Sequence, residues 1–210
     1  MNKTLITFFT VLFCLTSSVG WSLDYKDLVE RDGVYYKKFT DIPFTGEVTG
    51  KETGSFKNGK RDGSWISYWD NGQLRSKGDY KNGNLDGYWV DYHENGKLNS
   101  KVEYKNGKGE GSWAFYWDNG KLRTKGNYKN GNREGLWVEY SHKGKLTSKG
   151  NYMDTMRVGF WEIYWENGQL MEKGDRQNGK KEGSWISYNM DGTIVEGWTG
   201  TFKNGIKISD

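Results

Sequence analysis

The chain has one cysteine, Cys14, and one proline, Pro43, among 210 residues. A lone cysteine forms no internal disulfide. Because Cys14 sits in an apolar N-terminal run, the remainder of the chain has no thiol for catalysis or metal ligation. Histidine is nearly as scarce, with only His93 and His142. Long hydrophobic runs are missing as well. The longest, Leu5 to Leu15, is 11 residues, and a membrane-spanning helix needs about 20. Nor does one sign of charge dominate, with 31 basic residues against 27 acidic. Nucleic-acid binding calls for clustered Lys and Arg without matching acids, and no such cluster occurs.

What the chain does have is glycine and aromatic residues. Gly accounts for 30 residues and aromatics for 16%, while the whole hydrophobic fraction is only 34%. A fold so poor in aliphatics must bury Trp and Tyr, each bringing a large apolar area and one polar tip. At the N-terminus, Lys3, the apolar run and the small residues Ser18 to Gly20 read as an export signal cleaved near Gly20. The expected localisation is therefore exported: periplasmic, cell-surface or secreted.

One period organises the rest. Trp65, Trp89, Trp113, Trp137, Trp161 and Trp185 are each 24 residues apart. Tyr68, Gly63, Gly72 and Leu74 each begin a column with the same step, although Ile194 closes the Leu column. Such self-similarity marks a repeat protein. Within one repeat, "DNG" at Asp70–Gly72 and "KNG" at Lys81–Gly83 separate short alternating runs. Asn-Gly suits a two-residue type I′ hairpin turn. A turn at Asn71-Gly72 pairs Trp69 with Leu74, Ser67 with Ser76, Trp65 with Gly78 and Gly63 with Tyr80. A turn at Asn82-Gly83 pairs Tyr80 with Leu85, Gly78 with Gly87 and Ser76 with Trp89. Both place the Trp column on one face, over Gly and Ser. The opposite face receives Ile66, Tyr68, Arg75, Lys77 and Asp79.

The fold class that follows is all-β: an elongated, curled antiparallel meander of β-hairpin repeats, with the Trp face concave. Each two-strand repeat advances about 9.5 Å. Residues 1–20 are expected as a signal peptide and 21–50 as an N-terminal cap with a partial repeat. Residues 51–205 hold the array of six Trp-centred copies, and 206–210 form a C-terminal tail. One junction breaks the pattern: Met153 to Val158, "MDTMRV", lacks both the Asn-Gly and the acidic residue before Gly159. Drift, a contact site and a kink all remain open there.

The form G-x-W-x-x-Y-x-x-x-G-x-L, followed by Y-K-N-G and an acidic residue before the next Gly, resembles the bacterial variant of the MORN repeat. Asp86 to Gly111 carries it closely, and the likeness runs from about Phe44 to Gly205. The resemblance implies the hairpin fold. For function it implies a scaffold or binding module, or, as an alternative, an antitoxin or immunity component that neutralises a toxin by direct binding.

Chemistry at single sites is poorly supported. His93 and His142 lie two repeats apart, so about 19 Å, and share no metal site. The "DNG" turns lack the full spacing of a calcium loop. The column Asp62, Asp86, Glu110, Glu134 and Glu182 reads as a charge ladder facing Lys and Arg, because a catalytic carboxyl pair is singular and set apart by environment. No enzyme activity, cofactor or metal is expected. Binding is expected instead. Trp69, Trp117 and Trp165 form one candidate set, evenly spaced beside the turns for an extended glycan or peptide. Tyr68, Tyr92 and Tyr116 with Lys77, Lys101 and Lys125 form a second on the other face. The expected partner is a protein or a cell-envelope polymer. The membrane enters only through the signal segment, and the sequence leaves the oligomeric state open.

Overall fold

A computed structural model describes residues 22–210; the expected signal segment lies outside the described residues. The chain forms one long meander of antiparallel strands. Gly63–Tyr68 pairs with Leu74–Lys81, and Gly87–Tyr92 with Leu98–Lys105. Lys108–Tyr116 pairs with Leu122–Lys129, Asn132–Tyr140 with Leu146–Met153, and Met156–Tyr164 with Leu170–Gln177. Lys180–Ser187 then pairs with Gly200–Lys203, which turns into Ile206–Ser209, so the expected tail is a strand. At the other end Leu23–Asp24 lies parallel to Gly46–Thr49, and the hairpin Leu28–Arg31/Val34–Lys37 stands beside it. Among the described residues no helix is long and apolar enough to cross a membrane.

The Lys-Asn-Gly turns form as the sequence predicts. Asn82 and Gly83 have φ of 52° and 86°, the double positive φ of a type I′ turn. Tyr80 opposes Leu85. The irregular junction keeps this geometry without glycine: Asp154 and Thr155 take φ of 48° and 69°, and Met153 opposes Met156. A β-branched residue there is strained. Beyond the turn the register departs from expectation. Ser76 opposes Asp91, not Trp89, because two extra residues accumulate around Gly87, whose φ is 94°. The offset is even, so Trp89 stays on the predicted face.

The Asp-Asn-Gly turns differ from the prediction. Only Gly72 has positive φ. Gly72 N–H donates to Trp69 O at 2.9 Å and Trp69 N–H to Gln73 O at 2.8 Å. That is a three-residue loop, a type I turn closed by a left-handed glycine. Tyr68, not Trp69, opposes Leu74, and the register then shifts by one so that Ser67 meets Ser76 as expected. The odd loop and the one-residue bulge cancel over Gly63–Ser67. Leu74 therefore shares the outer face with Tyr68. Arg75, the bulged residue, lies over the Trp69 ring, 5.0 Å from its centroid.

The core lies along the Trp face. Trp65, Trp137, Trp161 and Trp185 are buried, as are Ser76, Ser100, Ser148 and Ser187. Each of these indoles lies flat on a glycine eleven residues earlier: a Cβ at Gly54, Gly126, Gly150 or Gly174 would overlap the ring. Tyrosines fill the gaps edge-on, with Tyr128–Trp137 at 5.3 Å and Tyr152–Trp161 at 5.2 Å. Fully burying an indole removes about 200 Å² from water, on the order of 5 kcal/mol each. Val102 interrupts the series where the other repeats have Gly. Trp113 is displaced to lie against Gly109 and Tyr128. The core consequently divides into two clusters, one around Trp65 and one around Trp137 to Trp185.

Candidate functional site

The first candidate set is part of the architecture. Trp69 Nε1 donates to Tyr92 O at 3.1 Å, Trp117 Nε1 to Tyr140 O at 3.1 Å and Trp165 Nε1 to Tyr188 O at 3.0 Å. Each indole thus fastens its turn to the next repeat, and all three are half-buried. His93, in the same column, does likewise, its Nε2 meeting Tyr116 O at 3.0 Å. Arg123 covers the Trp117 ring at 4.6 Å, as Arg75 covers Trp69. Asn71 and Asn119 add side-chain bonds to Glu94 O and His142 O.

The acidic column also serves the turns rather than facing Lys and Arg. Asp62 Oδ2 accepts from Asn82 N–H at 3.0 Å, Glu110 Oε2 from Asn130 N–H at 2.9 Å and Glu182 Oε2 from Asn204 N–H at 2.9 Å. Sequence spacing shows the column, but the acceptor role depends on how successive turns stack.

Cations penetrate the Trp face. Arg133 stacks on Trp137 at 4.4 Å and Arg157 on Trp161 at 4.5 Å. Arg133 also donates to the Tyr128 and Tyr152 hydroxyls, each at 3.3 Å. Burial opposes its charge, yet those hydroxyls outweigh burial and hold its pKa above the ordinary value. Burial, with Arg157 nearby, pulls Arg176 down. These side chains fill part of the Trp face, which keeps an open cleft of about 470 Å³ lined by Trp117, Arg123, Arg133 and Glu139.

The second candidate set lies on the outer face, in rows along the sheet. Tyr68, Tyr92 and Tyr116 each oppose the Leu of their own hairpin, Leu74, Leu98 and Leu122. Lys77, Lys101 and Lys125 alternate with small apolar residues: Ile66–Lys77–Val90–Lys101–Ala114–Lys125–Val138 run cross-strand in that order. All three lysines are exposed. A further column escaped the sequence reading although it has the same period: Ser64, Tyr88, Ser112, Leu136, Phe160 and Ser184. Tyr88 is 49% exposed, Leu136 57% and Phe160 51%. These are the large apolar side chains that this column leaves open to solvent. Among the described residues no three His, Cys, Asp or Glu side chains converge to hold a metal.

A family model described as "MORN repeat variant" matches residues 61–82, 85–106, 109–130, 133–154 and 157–178. No curated protein matches the sequence. Among solved structures, a "GtfA/B complex bound to UDP and GlcNAc" is similar at 15% identity and a TM-score of 0.22, over 75% of this chain and 27% of that one. The chain spans about a quarter of that structure's length, and a likeness at this level carries no argument about fold or function.

Proposed function

The chain belongs to the MORN repeat variant family, and we propose that it is a non-catalytic, exported binding or scaffold module that holds a protein partner along its outer face. MORN repeats are in general protein- or membrane-binding modules. The observation that supports the reading is the inequality of the two faces. The Trp face buries most of its central Trp column, and its clefts are lined by cations and carboxylates that pair with each other, Arg61 with Glu52 and Arg133 with Glu139. The outer face carries exposed lysines at Lys77, Lys101 and Lys125, a Tyr–Leu pair in each of those hairpins and, in three copies, an open Tyr, Leu or Phe. Tyr68, Tyr92, Tyr116, Lys77, Lys101 and Lys125 are the contact residues of this proposal. Trp69, Trp117 and Trp165 are assigned to holding repeats together. The leader expected over residues 1–20 supports export.

Reversing Lys77, Lys101 and Lys125 to Glu in the full chain tests the reading. Proteins crosslinked to the unaltered chain in cells are expected to be lost from this variant and kept by Arg75→Glu on the opposite face. Equal recovery by both variants would remove the outer face from the proposal.

A further inference from the structure

The outer face is not uniform. Its cross-strand row carries Ile66, Val90, Val138 and Ile186 at equivalent positions, but Ala114 in the third repeat. In the column beside it, Ser112 stands between Tyr88 and Leu136. Two small residues at one place leave a depression, an open cleft of about 530 Å³ over Ala114. Tyr88 and Leu136 form its walls, and Tyr116 also lines it. The walls stand four strands apart, about 19 Å between backbones, which leaves room for one extended segment and a large side chain.

Its flanks are charged, with two lysines against one carboxylate. Ala114 opposes Lys101 on one neighbouring strand and Lys125 on the other, so two ammonium groups flank the depression. Lys101 Nζ lies 4.5 Å from the centre of the Tyr88 ring. Neither lysine forms an ion pair among the described residues, whereas Lys149, the next in the row, is paired with Glu162 Oε2 at 2.5 Å. Glu162 occupies the position that Ala114 and Val138 hold in their repeats. Glu103, the acid across from Tyr88, accepts from Ser112 N–H at 3.4 Å.

We infer that the cleft over Ala114 is the anchor site for an acidic segment of a protein partner, taking one bulky apolar side chain between Tyr88 and Leu136 and flanking carboxylates at Lys101 and Lys125. This rests on the outer-face reading and narrows it to one repeat and one chemistry. The apolar walls provide the buried anchor that interfaces concentrate their energy in. The two unpaired lysines select charge and speed encounter.

Short fluorescein-labelled peptides on the full chain test it by anisotropy: a glutamate run with a central Phe, the same run with a central Ala, and a lysine run with a central Phe. The Glu–Phe peptide should bind about tenfold or more tighter than either control. Ala114→Trp, which fills the cleft, and Lys101→Glu with Lys125→Glu should each weaken it by about tenfold or more. Leu136→Asp, on an exposed side chain, repeats the first test without crowding the sheet, and circular dichroism checks that each variant folds. Equal binding of the Phe and Ala peptides, or indifference to both Ala114→Trp and Leu136→Asp, overturns the anchor. So does sedimentation with phosphatidylcholine vesicles containing one part in five phosphatidylserine when the Glu–Phe peptide does not bind. If the crosslinked partner is lost from the Lys77/Lys101/Lys125 variant but kept by Ala114→Trp, the face reading stands and the anchor fails. If neither variant loses it, both fail.

Discussion

Gly150 and Gly159 belong to the same hairpin and are glycine for opposite reasons. Gly150 has ordinary φ, but a Cβ there would overlap the Trp161 indole. Gly159 has open space around it and a φ of +61°. The sequence explains the first kind as room for an indole. It assigned the second kind, the column of Gly63, to the same cause, whereas backbone conformation decides it. Gly159→Ala should cost about 1 kcal/mol, the penalty of a left-handed residue with a Cβ. Gly150→Ala should cost about 3 kcal/mol, since ring and strand must move apart in a packed core. Urea unfolding midpoints of the two variants measure the difference; equal costs would refute the distinction.

At the scale of the hairpin, the two kinds of turn were legible to different degrees. The Lys-Asn-Gly turn is closed by two consecutive positive φ angles, which Asn-Gly signals directly. The Asp-Asn-Gly turn has the same dipeptide, but Asn71 stays out of the left-handed region. Its side chain accepts from Gln73 N–H at 2.9 Å and donates to Glu94 O of the next repeat at 2.9 Å. The second bond belongs to stacking between repeats, which no local motif displays. This is why Leu74 and Arg75 exchanged faces relative to expectation. Stacking also gives the acidic column its role, and Val158 breaks it, offering Asn178 N–H no acceptor where other repeats supply a carboxylate. Glu110→Ala should destabilise by about 1 kcal/mol, as loss of a side-chain cap does, and Val158→Glu should stabilise by a similar or smaller amount. Thermal unfolding followed by circular dichroism at neutral pH measures both. A loss on Val158→Glu would show that the turn does not need the acceptor.

Across the whole molecule, strands pair with their neighbours in chain order along the array, so stability is a sum of repeat and neighbour terms. Removing residues 85–108, one full period, keeps strand direction and the alternation of faces. That variant should retain an all-β circular dichroism spectrum and a cooperative transition. Removing residues 85–96, half a period, joins strands in the wrong direction and should abolish cooperative folding. Equal behaviour of the two would contradict the repeat as the folding unit. The division of the core at Val102 is a property at this scale too. One substituted glycine displaces Trp113 and leaves two aromatic clusters where the sequence predicts one continuous row.

The sequence by itself determined the all-β class, the 24-residue unit, the face of the Trp column and the type I′ turns. Each follows from chemistry within one repeat: alternation, glycine's freedom and the size of an indole. Only the tertiary structure decided what the remaining columns do. Trp69 and Glu110 could face ligand or neighbour on spacing alone, and stacked turns gave them hydrogen-bond partners about twenty residues away. The depression over Ala114 exists for the same reason. A small residue becomes a cleft only when the repeats on either side set Tyr88 and Leu136 beside it.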